Sequence, residues 1–164
     1  MSTTTEQLPA VGQAKQYIGM AKDRLLKTLS FVPDDKLNWT PASGAKSALR
    51  VAAHCGCSNA AFLMIVKGEK MPEMPREEML SYMEASETAI STREDAIALI
   101  ESSTDTFLSQ LDTLTAEQVD SIVPTPMFTA PMAFWMNLPG RHMDNHASQI
   151  DYLQTCWGDQ EWHI

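Results

Sequence analysis

The stretch Arg141-His-Met-Asp-Asn-His146-Ala-Ser-Gln-Ile-Asp-Tyr-Leu153 spaces its imidazole and apolar side chains at helical intervals. His142 and His146 stand four residues apart, so in an α-helix both rings lie on one face, one turn above the other. The face continues through Gln149, Ile150, Leu153 and Trp157, and a face of that character is expected to point inward. Two neutral imidazoles aimed at one spot are half of a divalent-metal site. The zinc-protease pattern H-E-x-x-H has the same spacing but carries a Glu directly after the first His, as general base. Met143 occupies that position here, so a zincin protease is excluded and the pair needs at least one further ligand.

Around this stretch the chain reads as helices. The last one is expected from near Pro131 to Trp157, with Gly158 as its stop and Pro139 kinking it just before the histidines. Before it, residues 115–130 read as an irregular connector. Thr115-Ala-Glu-Gln there can start one short turn, and Pro124 and Pro126 keep the rest extended. Ser91-Thr-Arg-Glu94 reads as a capping box opening a helix whose Ile97, Ile100, Thr104, Phe107, Leu111 and Leu114 form a bundle seam.

Residues 68–91 form a long connector in which Pro75 begins a short helix with acids in its first turn. Ser47 reads as the N-cap of a helix running to about Lys67 and closed by Gly68. That helix has no Asp, Glu, Lys or Arg from Val51 to Val66, so protein must surround it. The first helix is expected from about Glu6 to Ser30, with Val11, Ala14, Ile18, Ala21, Leu25 and Leu29 as its buried stripe. A connector over residues 31–46 follows, with Trp39 expected as a plug at one end of the core. No strand-like alternation is visible. The expected fold is all-α, with four long helices and a short connector helix.

Composition agrees with one globular domain spanning 1–164. The 164 residues are 44% hydrophobic and 20% charged. A net charge of -9 argues against nucleic acid, which needs a basic surface. No basic amphipathic stretch suggests a membrane surface, no apolar run approaches spanning length, and no signal peptide is visible. Three cysteines do not make a disulfide framework, so a reducing cytoplasm is expected. Cys55, Cys57 and Cys156 read as packing residues, as does much of the Met content of 11.

His54 lies in the uncharged helix. A buried imidazole without a partner is costly, so His54 must bond to a polar side chain or to a metal. With the inward pair elsewhere in the chain, His54, His142 and His146 become a candidate metal site with an open fourth position, the arrangement of catalytic zinc. Three neutral ligands leave the ion's charge uncompensated, which favours hydroxide or thiolate near neutral pH. Gln149, one turn beyond His146, is a candidate to hydrogen-bond a ligand or bound water, or a neighbouring helix. Asp144 and Asp151 fall on the outward side of the helix, His163 in the tail. Trp135 and Tyr152 read as core or interface, with lining of the pocket as the alternative.

Leu37-Asn-Trp39-Thr-Pro41-Ala-Ser-Gly-Ala-Lys-Ser47 with His54 soon after, and His142-x-x-x-His146-Ala-Ser-Gln149-Ile150-x-Tyr152-Leu153 ending in Trp157-Gly158, together resemble the DinB-like (YfiT-like) metalloprotein superfamily. The resemblance implies a four-helix bundle with a crossover between the second and third helices. It also implies a triple-His site for zinc, nickel or a similar ion, and a homodimer. It implies activation of a low-molecular-weight thiol or water against a small electrophile, as in thiol S-transferases and a mycothiol-dependent isomerase. A metal-binding or dimeric bundle without turnover is the alternative. Where relatives often have Arg-Gly after the second His, this chain has Ala147-Ser148.

Overall fold

A computed structural model describes residues 8–163. Six helices carry the fold: α1 (Pro9–Ser30), α2 (Ala48–Lys67), α3 (Arg76–Thr88), α4 (Arg93–Leu111), α5 (Ala116–Val119) and α6 (Met132–Cys156). The expected start of α1 near Glu6, and the polar residues before it, lie outside the described residues. The long helices form a bundle in which α1 packs on α6 and α4, and α2 packs on α4 and α6. The passage from α2 to α4 runs through α3, which lies against α2.

Local chemistry sets most boundaries. Ser47 caps α2 by accepting the Arg50 amide, and Gly68 closes it at a left-handed φ of 71°. That conformation costs a side-chain-bearing residue and is free for glycine. Thr115 and Gln118 complete a reciprocal capping box at α5. Instead of the box expected at Ser91, a one-way cap forms one residue later: the Thr92 hydroxyl accepts from the Asp95 amide at 3.1 Å. Arg93 then reaches back to the Leu29 and Val32 carbonyls, tying the start of α4 to the end of α1.

The core joins the stripes of α1 and α4 with Leu49, Val51, Ala52 and Cys55 of α2 and Trp135, Met136, Met143, Ala147 and Ile150 of α6. α6 continues through Pro139, and next to it the ring of Tyr17 occupies the space a Cβ on Gly140 would need. Trp39 meets Trp157 edge-on at 5.6 Å, the expected plug.

Several expectations need correction. Residues 115–130 are not wholly irregular: Ile122–Pro124 (β1) and Thr129–Pro131 (β2) pair antiparallel, Val123 opposite Ala130. Strands of three residues, each with a proline, are too short to show a period of two. α2 is long and apolar enough to cross a membrane by length and composition, contrary to the reading of no such run. Its packing against α4 and α6 accounts for that composition. Tyr152 and Cys156 are exposed rather than packed, and Gln149 is exposed while Gln154 is buried. The inward face of α6 therefore rotates off Gln149 toward Met143, Ala147, Ile150 and Gln154.

Candidate metal centre

α2 and α6 bring His54, His142 and His146 together. The Nε2 of His142 lies 3.2 Å from that of His54 and 3.1 Å from that of His146. The four-residue spacing delivers the pair on successive turns, and α2 supplies the third ring from the facing helix. All three rings are partly buried, and Phe62 stands edge-on to His142 at 5.3 Å.

The proton positions follow from the outer nitrogens. His54 Nδ1 lies 2.8 Å from Glu87 Oε1. Glu87 is 1% exposed and also accepts from Lys46 and from Arg50 Nε at 3.0 Å. Burial pushes its carboxyl up, but the hydrogen bonds from Lys46, Arg50 and His54 outweigh this and hold it below the usual carboxylate range. An ionised carboxylate only accepts, so His54 carries its proton on Nδ1 and turns a bare Nε2 lone pair inward. His146 Nδ1 lies 2.7 Å from Gln149 Oε1, an arrangement that places a second proton on the outer side.

The imidazoles are held neutral. Burial, then the charge of Lys46, lowers His54. Burial, then the His146 and His54 rings, takes His142 down to about 3. Burial also lowers His146, against the Gln149 bond. With His54 Nε2 bare, one proton on the inner nitrogens can satisfy only one of the two Nε2 contacts. The other acceptor is left without a donor, and a cation among the three nitrogens would satisfy every lone pair turned inward. The His142 Nδ1 is buried without a partner among the described residues. The spacing suits an ion: nitrogens about 3.3 Å apart are what tetrahedral zinc–nitrogen bonds of 2.0–2.1 Å require. The residues therefore fit a divalent metal, His54, His142 and His146 being the set that would hold it.

The sequence matches the DinB superfamily over residues 18–150. This chain belongs to the DinB superfamily. Two solved structures share its fold. One is a mycothiol-dependent maleylpyruvate isomerase, 16% identical with a TM-score of 0.70, the match covering 92% of this chain. The chain spans 63% of that protein's length. The other is a DinB-like protein of Bacillus subtilis, 17% identical with a TM-score of 0.62, covering 91% of this chain and 94% of that one. At these identities the likeness shows the DinB fold alone. No curated protein sequence matches the chain.

The site opens on a cleft of about 580 Å³ whose lining includes Lys46, His54, His146, Ser148, Gln149 and Tyr152. Tyr152 thus faces the cleft mouth and not the core. The cysteines stay outside the cluster: burial pushes Cys55 up to about 12 and raises Cys57, so neither thiol ionises readily. Asp144 lies at the partly exposed seam with α1, where its carboxylate accepts from Tyr17 at 3.0 Å and Arg24 at 3.2 Å. His163 does more than end the tail, since its ring stacks on Phe31 at 4.4 Å. Glu87 escaped the sequence reading. An acid near the end of an otherwise exposed connector helix gives no signal of burial, and only its partners on α2 reveal its role.

Proposed function

We propose that this protein is a metal-dependent enzyme, a thiol S-transferase or hydrolase, acting on a small electrophile. The observation that supports this reading above all is the convergence of three Nε2 atoms beside an open cleft, with separations of 3.1 and 3.2 Å. A divalent ion, zinc or nickel, supplies a Lewis acid that favours the deprotonated form of a thiol or water. The dependence on mycothiol named for one fold relative supports a thiol as the co-substrate.

The chain's own groups set up the site. Glu87 keeps the His54 proton on Nδ1 and leaves Nε2 free to ligate. Gln149 orients the His146 ring in the same way. The exposed Tyr152 borders the entrance, and the cleft admits the substrate from one side. The reading takes residues 1–164 as one domain in a reducing cytoplasm. It takes a second copy of the chain as the partner for the apolar residues Met79, Leu80 and Tyr82 exposed on α3.

Metal analysis of protein purified without added metal tests the centre. About one ion per chain is expected, falling several-fold in His54→Ala and His146→Ala. A low content that the substitutions leave unchanged refutes the metal reading. Thiol-dependent consumption of a generic electrophile, lost in His54→Ala, then separates an enzyme from a bundle that only binds metal. Sedimentation as a monomer at micromolar concentration would reject the second copy.

A further inference from the structure

The cleft carries an electrostatic character opposite to that of the protein. The chain has a net charge of -9, yet among the described residues no Asp or Glu lines the cleft, and Lys46 does. Lys46 comes from the loop just before α2 and lies beside His54 and His146 in the lining. Its charge acts on all three imidazoles, lowering each.

The carboxylate that Lys46 touches is occupied on several sides. Glu87 is 1% exposed and accepts from Lys46, Arg50 and His54 together. Arg50 takes a second carboxylate, Glu84, at 3.0 Å. An ammonium has three donors, and Glu87 accepts one of them. With its side chain 32% exposed, Lys46 has two donors left for a ligand. Gln149 adds to these: its Oε1 is taken by His146, so its amide N–H groups are available at the same cleft.

We infer that the cleft binds a ligand bearing a carboxylate, and that Lys46 is the residue that selects it. One ammonium with neutral donors around it matches a singly charged carboxylate. The bidentate arginine fork that favours phosphate is missing from the lining among the described residues. The buried Glu87 holds the ammonium of Lys46 through one hydrogen bond, so the head group is positioned before the ligand arrives. This inference rests on the metal-centre reading, because the probe that tests it uses a thiol to reach the ion.

The test is calorimetric titration of the zinc-loaded protein with mercaptoalkanoates of increasing chain length, each against its uncharged amide. Metal content is measured in parallel. For at least one length the acid is expected to bind roughly tenfold more tightly than the amide. Lys46→Met should bring the two within about twofold while keeping its metal, and Lys46→Arg should keep most of the gap. Lys46→Gln serves if the methionine variant does not fold. No gap at any length in the unaltered protein overturns the inference, as does a gap that survives loss of the lysine. In both cases a full metal content leaves the metal centre standing. A protein that holds no metal overturns both.

Discussion

Glu87 holds a charge where almost no water reaches it, and three donors make that possible. Removing the charge leaves His54 facing an amide that can turn either a donor or an acceptor toward it, so its tautomer is no longer fixed. Glu87→Gln keeps the volume and is expected to weaken metal binding by about 10–100-fold, read by competition with a chelator. A change below about twofold would mean that the carboxylate serves only Lys46 and Arg50. Gln149→Ala acts on the exposed side of the site and should cost less, since water can replace the lost acceptor at His146. Both roles depend on which ring nitrogen carries the proton, and no residue spacing in the chain encodes that.

At the scale of elements, the contact of α2 with α4 sets how closely the helix bearing His54 is held. Gly56 makes it tight: a Cβ there would lie 2.6 Å from Leu99 Cγ and 3.3 Å from the Ile100 amide nitrogen. Alanine would gain about 1 kcal/mol of helix propensity, whereas overpacking costs about 1–3 kcal/mol. Gly56→Ala is therefore expected to be net destabilising by urea denaturation, and Leu99→Ala added to it should return part of the loss. Phe107, fully buried in the α4 seam, is simpler: Phe107→Ala should cost about 3–5 kcal/mol. The seam was legible because its threes and fours come from helix geometry alone. The α3 contribution was not, because its short helix is mostly exposed and its function rests on one residue docking on α2.

For the whole molecule, the buried imidazoles couple stability to pH. All three are held below their ordinary value of 6.5, so below that pH the unfolded chain takes up protons that the folded chain excludes. Stability of the metal-free protein is thus fully present above about pH 6.5 and is lost as pH falls toward the folded values. The slope approaches about 1.4 kcal/mol per pH unit for each proton excluded. Glu87 acts in the same sense at lower pH: its contribution is present above the ordinary carboxylate range and fades as pH falls through the depressed folded value. Thermal midpoints of chelator-treated protein should be level from about pH 7 to 8 and drop steadily from about 6.5 to 5. Loaded protein should start higher and fall more steeply, because protonated imidazoles release the ion. A midpoint that stays constant to pH 5 would show that the rings open to water before the protein unfolds.

The helical architecture, the four long elements and the pairing of His142 with His146 are all legible in the order of the amino acids. Each of these follows from local periodicity, capping chemistry and the absence of charge across Val51–Val66. That order also singles out His54, since an imidazole in an uncharged helix demands a partner. Packing in three dimensions sets what that partner is, that Glu87 stands behind it, that Lys46 faces the cleft, and that Tyr152 borders the entrance instead of filling the core. These depend on the rotation of each helix about its axis and on where the crossover sets α3 down. Rotation and docking are chosen by packing against other helices, and a one-dimensional pattern records the apolar stripe without its angular detail.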